Sequence, residues 1–177
     1  MSIETPRTHL FVIHAALAVA FAASVCPAQQ ITLLEFELED QFGETHTTAD
    51  VRGNALLVVG SDKHGSRYQR YWIDRLRAAL GDRDAGEVIE IVELADLRGV
   101  PFFVKGSVRK KFPKDRRSWV LMDWKGEFAK AYRFEKRRCN ILLFDGSGKL
   151  VLHVGVQGAD AEMLDEIGAA IDALLRS

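Results

Sequence analysis

The most constraining feature of the sequence is the uninterrupted apolar run Ala55–Val59. A short run without polar alternation is typical of a β-strand that is covered on both faces. Apolar residues then recur at helical spacing from Ser66, a candidate N-cap, to Leu80, and Gly81 follows as a stop signal. Val88–Leu94 predicts a second strand. Because parallel neighbouring strands need a crossover between them, this order predicts a β-α-β unit in a sheet with helices on both faces.

Further elements on either side of this unit extend the predicted sheet. Leu34–Glu39 alternates apolar and acidic residues, which is the period of a half-buried strand. Helical spacing runs from Pro101 to Pro113, Trp119–Met122 predicts a short strand, and Phe128–Tyr132 predicts a brief helix. A second helical crossover and a third strand are therefore expected after the β-α-β unit.

The C-terminal part of the chain predicts a hairpin and a helix. Ile141–Phe144 is an apolar strand, Asp145–Gly148 is the clearest turn, and Leu150–Val156 alternates as a returning strand. Apolar residues from Met163 to Leu175 form one helical stripe. The predicted fold class is α/β, with a central mixed β-sheet flanked by helices and a C-terminal β-hairpin plus helix.

The N-terminus is typical of an export signal. The apolar run Leu10–Val25 is shorter than the roughly 20 residues that a membrane span needs, and small residues precede a cleavage position after Ala28. We therefore expect a signal peptide over residues 1–28 and one domain over residues 29–177, which would be periplasmic or secreted. The alternative is a signal that is kept as a membrane anchor.

The chain holds two cysteines, Cys26 and Cys139. Lipoprotein anchoring through Cys26 is disfavoured because Val25 precedes it, where such sites have Gly, Ala or Ser. Removal of residues 1–28 would leave Cys139 alone, which excludes an intramolecular disulfide and dithiol exchange in the mature chain.

Four segments that follow the predicted signal carry short motifs that each contain a glycine. They are Asp40–Gly43, Val51–Val59, Met122–Ala129 and Phe144–Leu150. In order and spacing they resemble the D-x-x-G, LRGK-VVLV, D-x-x-G-x-x-A and D-x-x-G-K-I segments of thioredoxin-like proteins of the redoxin and peroxiredoxin branch. This resemblance implies a thioredoxin-like fold over most of the mature chain.

A narrower resemblance is to the YtfJ-like exported proteins that lack the CxxC motif. The chain is similar to them in its predicted export signal, in the Phe-Val-basic-Ser helix at Phe103–Ser107, and in the missing cysteine motif.

In thioredoxins the reactive dithiol lies between the first core strand and the next helix, and the resemblance places that site at Gly60–Arg67. His64 aligns with the first cysteine, and Ser66 or Arg67 falls near the second. Neither a thiol pair nor a peroxidatic cysteine is present, so no catalytic residue is assigned here.

Three interpretations of this loop stay open. It is a polar helix cap on a fold that has lost catalysis, a binding loop for an anion or a carboxylate at the helix N-terminus, or a hydrolytic cluster of His64, Ser66 and Asp62. The candidate binding residues are Asp62, Lys63, His64, Ser66 and Arg67.

Cys139 is the weak catalytic candidate. The resemblance aligns it with the cis-proline that faces the thioredoxin site, and it follows Lys136-Arg137-Arg138, whose charges would favour a thiolate. The alternative is a small buried core residue.

The middle of the chain is strongly basic, with 13 Lys or Arg against four Asp or Glu residues in the segment 105–138. This segment predicts either a face that binds an envelope protein or an anionic surface, or a solvated face balanced by acidic elements. No nucleic-acid motif, metal-ligand spacing or cofactor motif accompanies it. The candidate patch residues are Arg109, Lys110, Lys111, Lys114, Arg116 and Arg117.

These observations lead to two functional hypotheses. The first is an exported thioredoxin-fold protein without a dithiol site, which acts as a non-catalytic binding or accessory protein of the cell envelope. The second is a single-cysteine redox or peroxide-handling protein that uses Cys139.

Overall fold

A computed structural model describes residues 30–81, 89–116 and 118–176. The predicted signal peptide and Cys26 lie outside these residues. The strands are β1 (Glu37–Glu39), β2 (Thr45–Thr47), β3 (Ala55–Ser61), β4 (Ile89–Asp96), β5 (Val120–Asp123), β6 (Cys139–Phe144) and β7 (Leu150–Val156). The α-helices are α1 (Ser66–Leu80), α2 (Lys105–Arg109), α3 (Glu127–Ala131) and α4 (Ala161–Leu175), and 3₁₀ helices cover Thr48–Val51 and Phe102–Val104.

The main sheet has five strands in the order β5-β4-β3-β6-β7. Strand β3 is parallel to β4 and antiparallel to β6, β4 is parallel to β5, and β6 forms the predicted hairpin with β7. The central strand β3 is buried along its whole length, as its uninterrupted apolar sequence predicts. The predicted fold class, a mixed sheet with a C-terminal hairpin and helix, is confirmed.

Two hydrophobic cores cover the two faces of the sheet. On one face, Leu57 and Val59 pack with Trp72 of α1 and with Ile167 and Ile171 of α4. The opposite core contains alternate residues of the same strands together with aromatic side chains. Its main members are Phe36, Leu56, Val58, Phe128, Tyr132 and Phe144. No helix within the described ranges is long and apolar enough to cross a membrane.

Helix α1 follows the sequence prediction closely. It begins at Ser66, so the N-cap is Gly65 rather than the predicted Ser66. Gly81 ends the helix with a φ of +56°, a conformation that glycine adopts without strain.

Two predictions about the edge of the sheet need correction. The helix expected from Pro101 to Pro113 is a 3₁₀ turn at Phe102–Val104 followed by the short α2, because Gly106 and the bracketing prolines weaken a longer helix. The strand expected over Leu34–Glu39 is shortened to β1, which pairs with β2 in a separate two-stranded sheet. Strand β2 has the polar sequence Thr-His-Thr, which lacks the apolar alternation that would predict a strand.

Candidate functional site

The candidate loop lies at the end of the sheet where the parallel strands finish. The loop 62–65 leaves β3 there, Leu97 follows β4, and Trp124 follows β5. Since β6 is antiparallel to β3, its first residue, Cys139, lies at the same end, directly opposite Ser61. The topology therefore brings the loop and the segment before β6 together, as the thioredoxin resemblance implies.

Asp62 fixes the backbone of this loop. Its Oδ1 accepts hydrogen bonds from the amides of His64 (2.9 Å) and Gly65 (2.7 Å), and its Oδ2 accepts one from the Arg137 amide (3.0 Å). Burial would raise the pKa of Asp62, but these three amide donors outweigh it and lower the pKa. Asp62 is therefore a structural carboxylate that ties the loop to the segment before β6.

A second contact closes the same junction. Gly65 lies so close to the segment before β6 that an added Cβ would sit 2.1 Å from the Arg138 carbonyl oxygen. The neighbouring Arg137 has a φ of +63°, and its amide donates to Asp62. Residues 30–81, 89–116 and 118–176 contain no cis peptide bond.

The segment before β6 is itself held by Asn140, whose side chain is completely buried. Its Oδ1 accepts from the Glu135 amide (2.8 Å), and its Nδ2 donates to the carbonyl oxygens of Glu135 (3.1 Å) and Arg138 (3.4 Å). Sequence reasoning did not identify Arg137 or Asn140 as part of the site. The signal that could have pointed to the Asp62 turn is the Asp-x-x-Gly spacing at the strand end, which is typical of an Asx turn.

The remaining loop residues stay exposed, and the structure does not assemble them into a hydrolytic cluster. Ser66 Oγ donates to the Lys63 carbonyl (2.9 Å), and Arg67 Nε donates to the His64 carbonyl (3.0 Å). The Asp62 carboxylate is occupied by backbone amides rather than by the His64 ring. These contacts argue against a triad and leave Lys63, His64 and Arg67 as exposed basic side chains next to the first turn of α1.

The structure contradicts the expectation that nearby charges favour a Cys139 thiolate. Cys139 is 0% exposed and packs in the core with residues of α1 and α4. Burial, with a smaller contribution from the charge of Glu93, raises the pKa of Cys139 to about 12. Cys139 is also the first residue of β6, so the position before this strand belongs to Arg138 rather than to Cys139.

A small polar cluster lies in the sheet beneath the loop. Ser61 Oγ donates to Gln69 Oε1, and Gln69 Nε2 donates to the Val59 carbonyl (3.1 Å). On β4, Glu93 is buried, its Oε1 has no hydrogen-bond partner, and Arg77 lies 3.8 Å away. Burial raises the pKa of Glu93 despite that cation. No sequence pattern indicates this cluster, because its members come from three separate elements.

The carboxyl ends of β4 and β5 carry a second polar cluster. Asp96 binds Arg98 in a bidentate contact (2.6–3.0 Å) that raises the pKa of Arg98, with smaller contributions from Asp123 and Asp62. Asp123 is buried and accepts hydrogen bonds from the first amides of α3, including that of Glu127 (2.8 Å). Burial nevertheless raises the pKa of Asp123. Among the described residues, no group of three His, Cys, Asp or Glu side chains is placed to hold a metal ion.

The predicted basic segment divides into parts with different surroundings. Arg109 pairs with Glu39 and Arg116 pairs with Glu44, so the β1–β2 hairpin neutralises these two cations. Lys110, Lys111 and Lys114 are exposed. Arg117 lies outside the described residues. Lys136, Arg137 and Arg138 belong to the candidate loop junction described above.

No family model and no curated protein matches the sequence. Solved structures do match its fold. The exposed lipoprotein thioredoxin Etrx1 from Streptococcus pneumoniae aligns with a TM-score of 0.61 and 19% identity, over 80% of this chain and 100% of its own. A putative thiol:disulfide interchange protein DsbE from Chlorobium tepidum aligns with a TM-score of 0.57 and 20% identity, over 80% and 96%.

A secreted disulfide oxidoreductase of Mycobacterium tuberculosis aligns with a TM-score of 0.54 and 15% identity, over 79% of this chain and 96% of its own. These similarities concern the fold, and the narrower resemblance to YtfJ-like exported proteins stays a prediction. The sheet order, the position of the loop and these alignments together show that the chain has the thioredoxin-like fold.

Proposed function

We propose that this chain is an exported, non-catalytic thioredoxin-fold protein that works by binding in the cell envelope. The observation that carries the proposal is the loop at the position of the thioredoxin dithiol. It contains no cysteine, and Asp62 and Gly65 fasten it to Arg137 and Arg138. A loop without a thiol cannot take part in thiol–disulfide exchange, and its fixed backbone presents the exposed side chains of Lys63, His64 and Arg67 for binding.

The alternative, single-thiol chemistry at Cys139, has little physical support. A nucleophilic cysteine must be accessible and must ionise near the working pH. Cys139 is inaccessible, and its pKa of about 12 leaves a negligible thiolate fraction at neutral pH.

A thiol-reactivity measurement tests the proposal. The chain from Gln29, which contains every described element and lacks Cys26, is titrated with an aromatic disulfide reagent between pH 6 and 9 (roughly the range that brackets an ordinary cysteine pKa). We expect Cys139 to stay unmodified in the native protein and to react fully in guanidinium chloride.

The matched control is Ser66→Cys, which places a thiol at an exposed helix N-terminus, where the pKa of a thiol is lowered. This thiol should react rapidly in the native protein. The proposal is wrong if native Cys139 reacts at a rate comparable to that of the control. Export is tested separately by mass spectrometry of the chain recovered from a periplasmic fraction, which should begin at Gln29.

A further inference from the structure

The largest exposed apolar side chains of the described residues are two adjacent phenylalanines, Phe102 and Phe103. They are 82% and 77% exposed, whereas the other exposed large hydrophobic residues, Ile31 and Val151, are 54% and 45% exposed. Both phenylalanines lie on the single 3₁₀ turn Phe102–Val104, in the connection that leaves the end of β4. Two exposed aromatic rings on adjacent residues are unusual on a protein surface and indicate a contact surface.

The segment that carries this pair is packed against the sheet on its other side. Phe112 joins a small core with Ala95, Val120 and Met122. Towards the same side, Lys105 Nζ lies 4.8 Å from the centre of the Trp124 ring, and the Arg109 guanidinium lies 5.9 Å from it. These side chains anchor the segment to the rest of the domain. Phe102 and Phe103 are therefore exposed although the segment that carries them is packed.

The chain segment that carries the aromatic pair has charges of one predominant sign. From Leu97 to Arg116 the only acidic residue is Asp115. Arg109 and Arg116 are paired with acidic residues of the β1–β2 hairpin. In the described part of the chain, the exposed Lys110, Lys111 and Lys114 have no acidic partner. Three unpaired lysines therefore follow the two exposed rings within twelve residues of chain.

We propose that Phe102, Phe103 and these three lysines form a docking surface for an anionic phospholipid bilayer. Aromatic rings partition into the interface between headgroups and acyl chains, and nearby lysines are attracted to the lipid phosphates. Lysine is depleted from protein–protein interfaces, so this combination fits an anionic membrane better than an acidic protein. The inference rests on the proposed envelope function and deepens it by naming the partner.

Co-flotation with liposomes tests the inference. The chain from Gln29 is mixed with vesicles of phosphatidylcholine alone or of phosphatidylcholine with phosphatidylglycerol, at low and at physiological salt. We expect binding to the anionic vesicles only, weakened by salt. Phe102→Ser with Phe103→Ser should reduce the partition coefficient at least tenfold. The triple variant Lys110→Gln, Lys111→Gln, Lys114→Gln should reduce it about fivefold for each lysine removed and abolish its salt dependence.

The matched control combines Val151→Ser with Lys149→Gln, which removes an exposed apolar residue and an exposed lysine on the β6–β7 hairpin. It should bind like the unmodified chain. Unfolding curves of all variants should coincide, since the substituted side chains are exposed.

Three outcomes would overturn the inference: no binding to anionic vesicles at low salt, equal binding to neutral vesicles, or equal loss in the control. The thiol titration is run on the same preparations. An unreactive Cys139 without vesicle binding overturns the docking surface alone, whereas a reactive native Cys139 overturns the proposed function whatever the vesicles show.

Discussion

Asp62 is the residue that most distinguishes this loop from a redox site. A thioredoxin loop at this position carries cysteines, whereas here a carboxylate satisfies three backbone amides, two of its own turn and one from Arg137. Leaving a buried amide without an acceptor destabilises a protein more than a typical hydrogen bond stabilises it. This loop conformation therefore requires an acceptor such as the Asp62 carboxylate. At the scale of a residue, Asp62 therefore has a structural role: it holds the loop and the segment before β6 together.

Asp62→Asn should lower the free energy of unfolding by about 1–3 kcal/mol at neutral pH, because a single amide oxygen cannot accept all three donors. The folded pKa of Asp62 lies below its unfolded value. The stabilisation is therefore complete above the unfolded pKa, about 3.9, and is lost as pH falls through the folded pKa. Urea unfolding of both proteins across this range should show their difference shrinking in acid.

Asp160→Asn is the control for this substitution. Asp160 caps α4 through one bond to the Met163 amide (3.0 Å), and asparagine is an equally good N-cap. Its unfolding free energy should change by a few tenths of a kcal/mol at most. Equal effects of the two substitutions at neutral pH would contradict the role given to Asp62.

The elements with a clear hydrophobic periodicity were predictable from the sequence, whereas the elements whose conformation depends on tertiary contacts were not. The buried run of β3, the amphipathic stripes of α1 and α4, and the β6–β7 hairpin were all expected from the sequence, and the structure confirms them. Strand β2 was missed because its pairing with β1 decides its conformation, while its residues are polar. Helix α2 was predicted too long because apolar spacing alone does not weigh an internal glycine.

The candidate loop shows the same division. Its position between β3 and α1 was predictable from the element order. That the loop contains no thiol pair is evident from the sequence itself. The contacts that define it come from residues about 75 positions away, such as the Arg137 amide on Asp62. Such partners depend on how β6 lies beside β3, which a local pattern does not encode. Of the two interpretations of Cys139, the structure favours the small buried core residue, because burial raises the pKa of its thiol despite the basic residues that precede it in sequence.

The junction between α1 and β6 gives a prediction at this scale. Gly65→Ala should destabilise the protein by about 1–3 kcal/mol, because the new methyl group would meet the Arg138 carbonyl and force the two elements apart. Thermal or denaturant unfolding measures the change.

Gly168→Ala in α4 is the matched control. A Cβ at this position meets nothing within 4 Å, and the helix gains propensity, so stability should rise by about 0.5–1 kcal/mol. A Gly65→Ala variant as stable as the unmodified protein would show that the loop and the segment before β6 are not in close contact.

For the whole molecule, the structure shows the thioredoxin-like fold, and the loop at the end of β3 contains no cysteine. Two large cores on opposite faces of the sheet stabilise the fold, and neither contains a residue of the loop 62–65. The loop side chains of Lys63, His64 and Arg67 are exposed and add little to either core. Substitution of these side chains by cysteine should therefore leave the fold intact. We predict that the backbone of the loop has the geometry of a dithiol site.

The final prediction tests this geometry. His64→Cys with Arg67→Cys, in the chain from Gln29, places one thiol in the turn before α1 and one in the first turn of α1, three residues apart. The bond from the Ser66 amide to the Asp62 carbonyl (3.0 Å) gives this turn the i to i+4 pairing of a helix, and side chains at a spacing of three are neighbours on a helix. Mild oxidation should close an intramolecular disulfide, detected as a loss of two hydrogens by mass spectrometry, while Cys139 stays reduced. His64→Cys with Ser66→Cys is the control, because residues two apart at helical spacing do not face each other, and it should form intermolecular dimers instead. Equal closure in both pairs would mean that the loop is too loosely held to fix this geometry, and closure in neither would mean that His64 and Arg67 are not placed as a thioredoxin dithiol is.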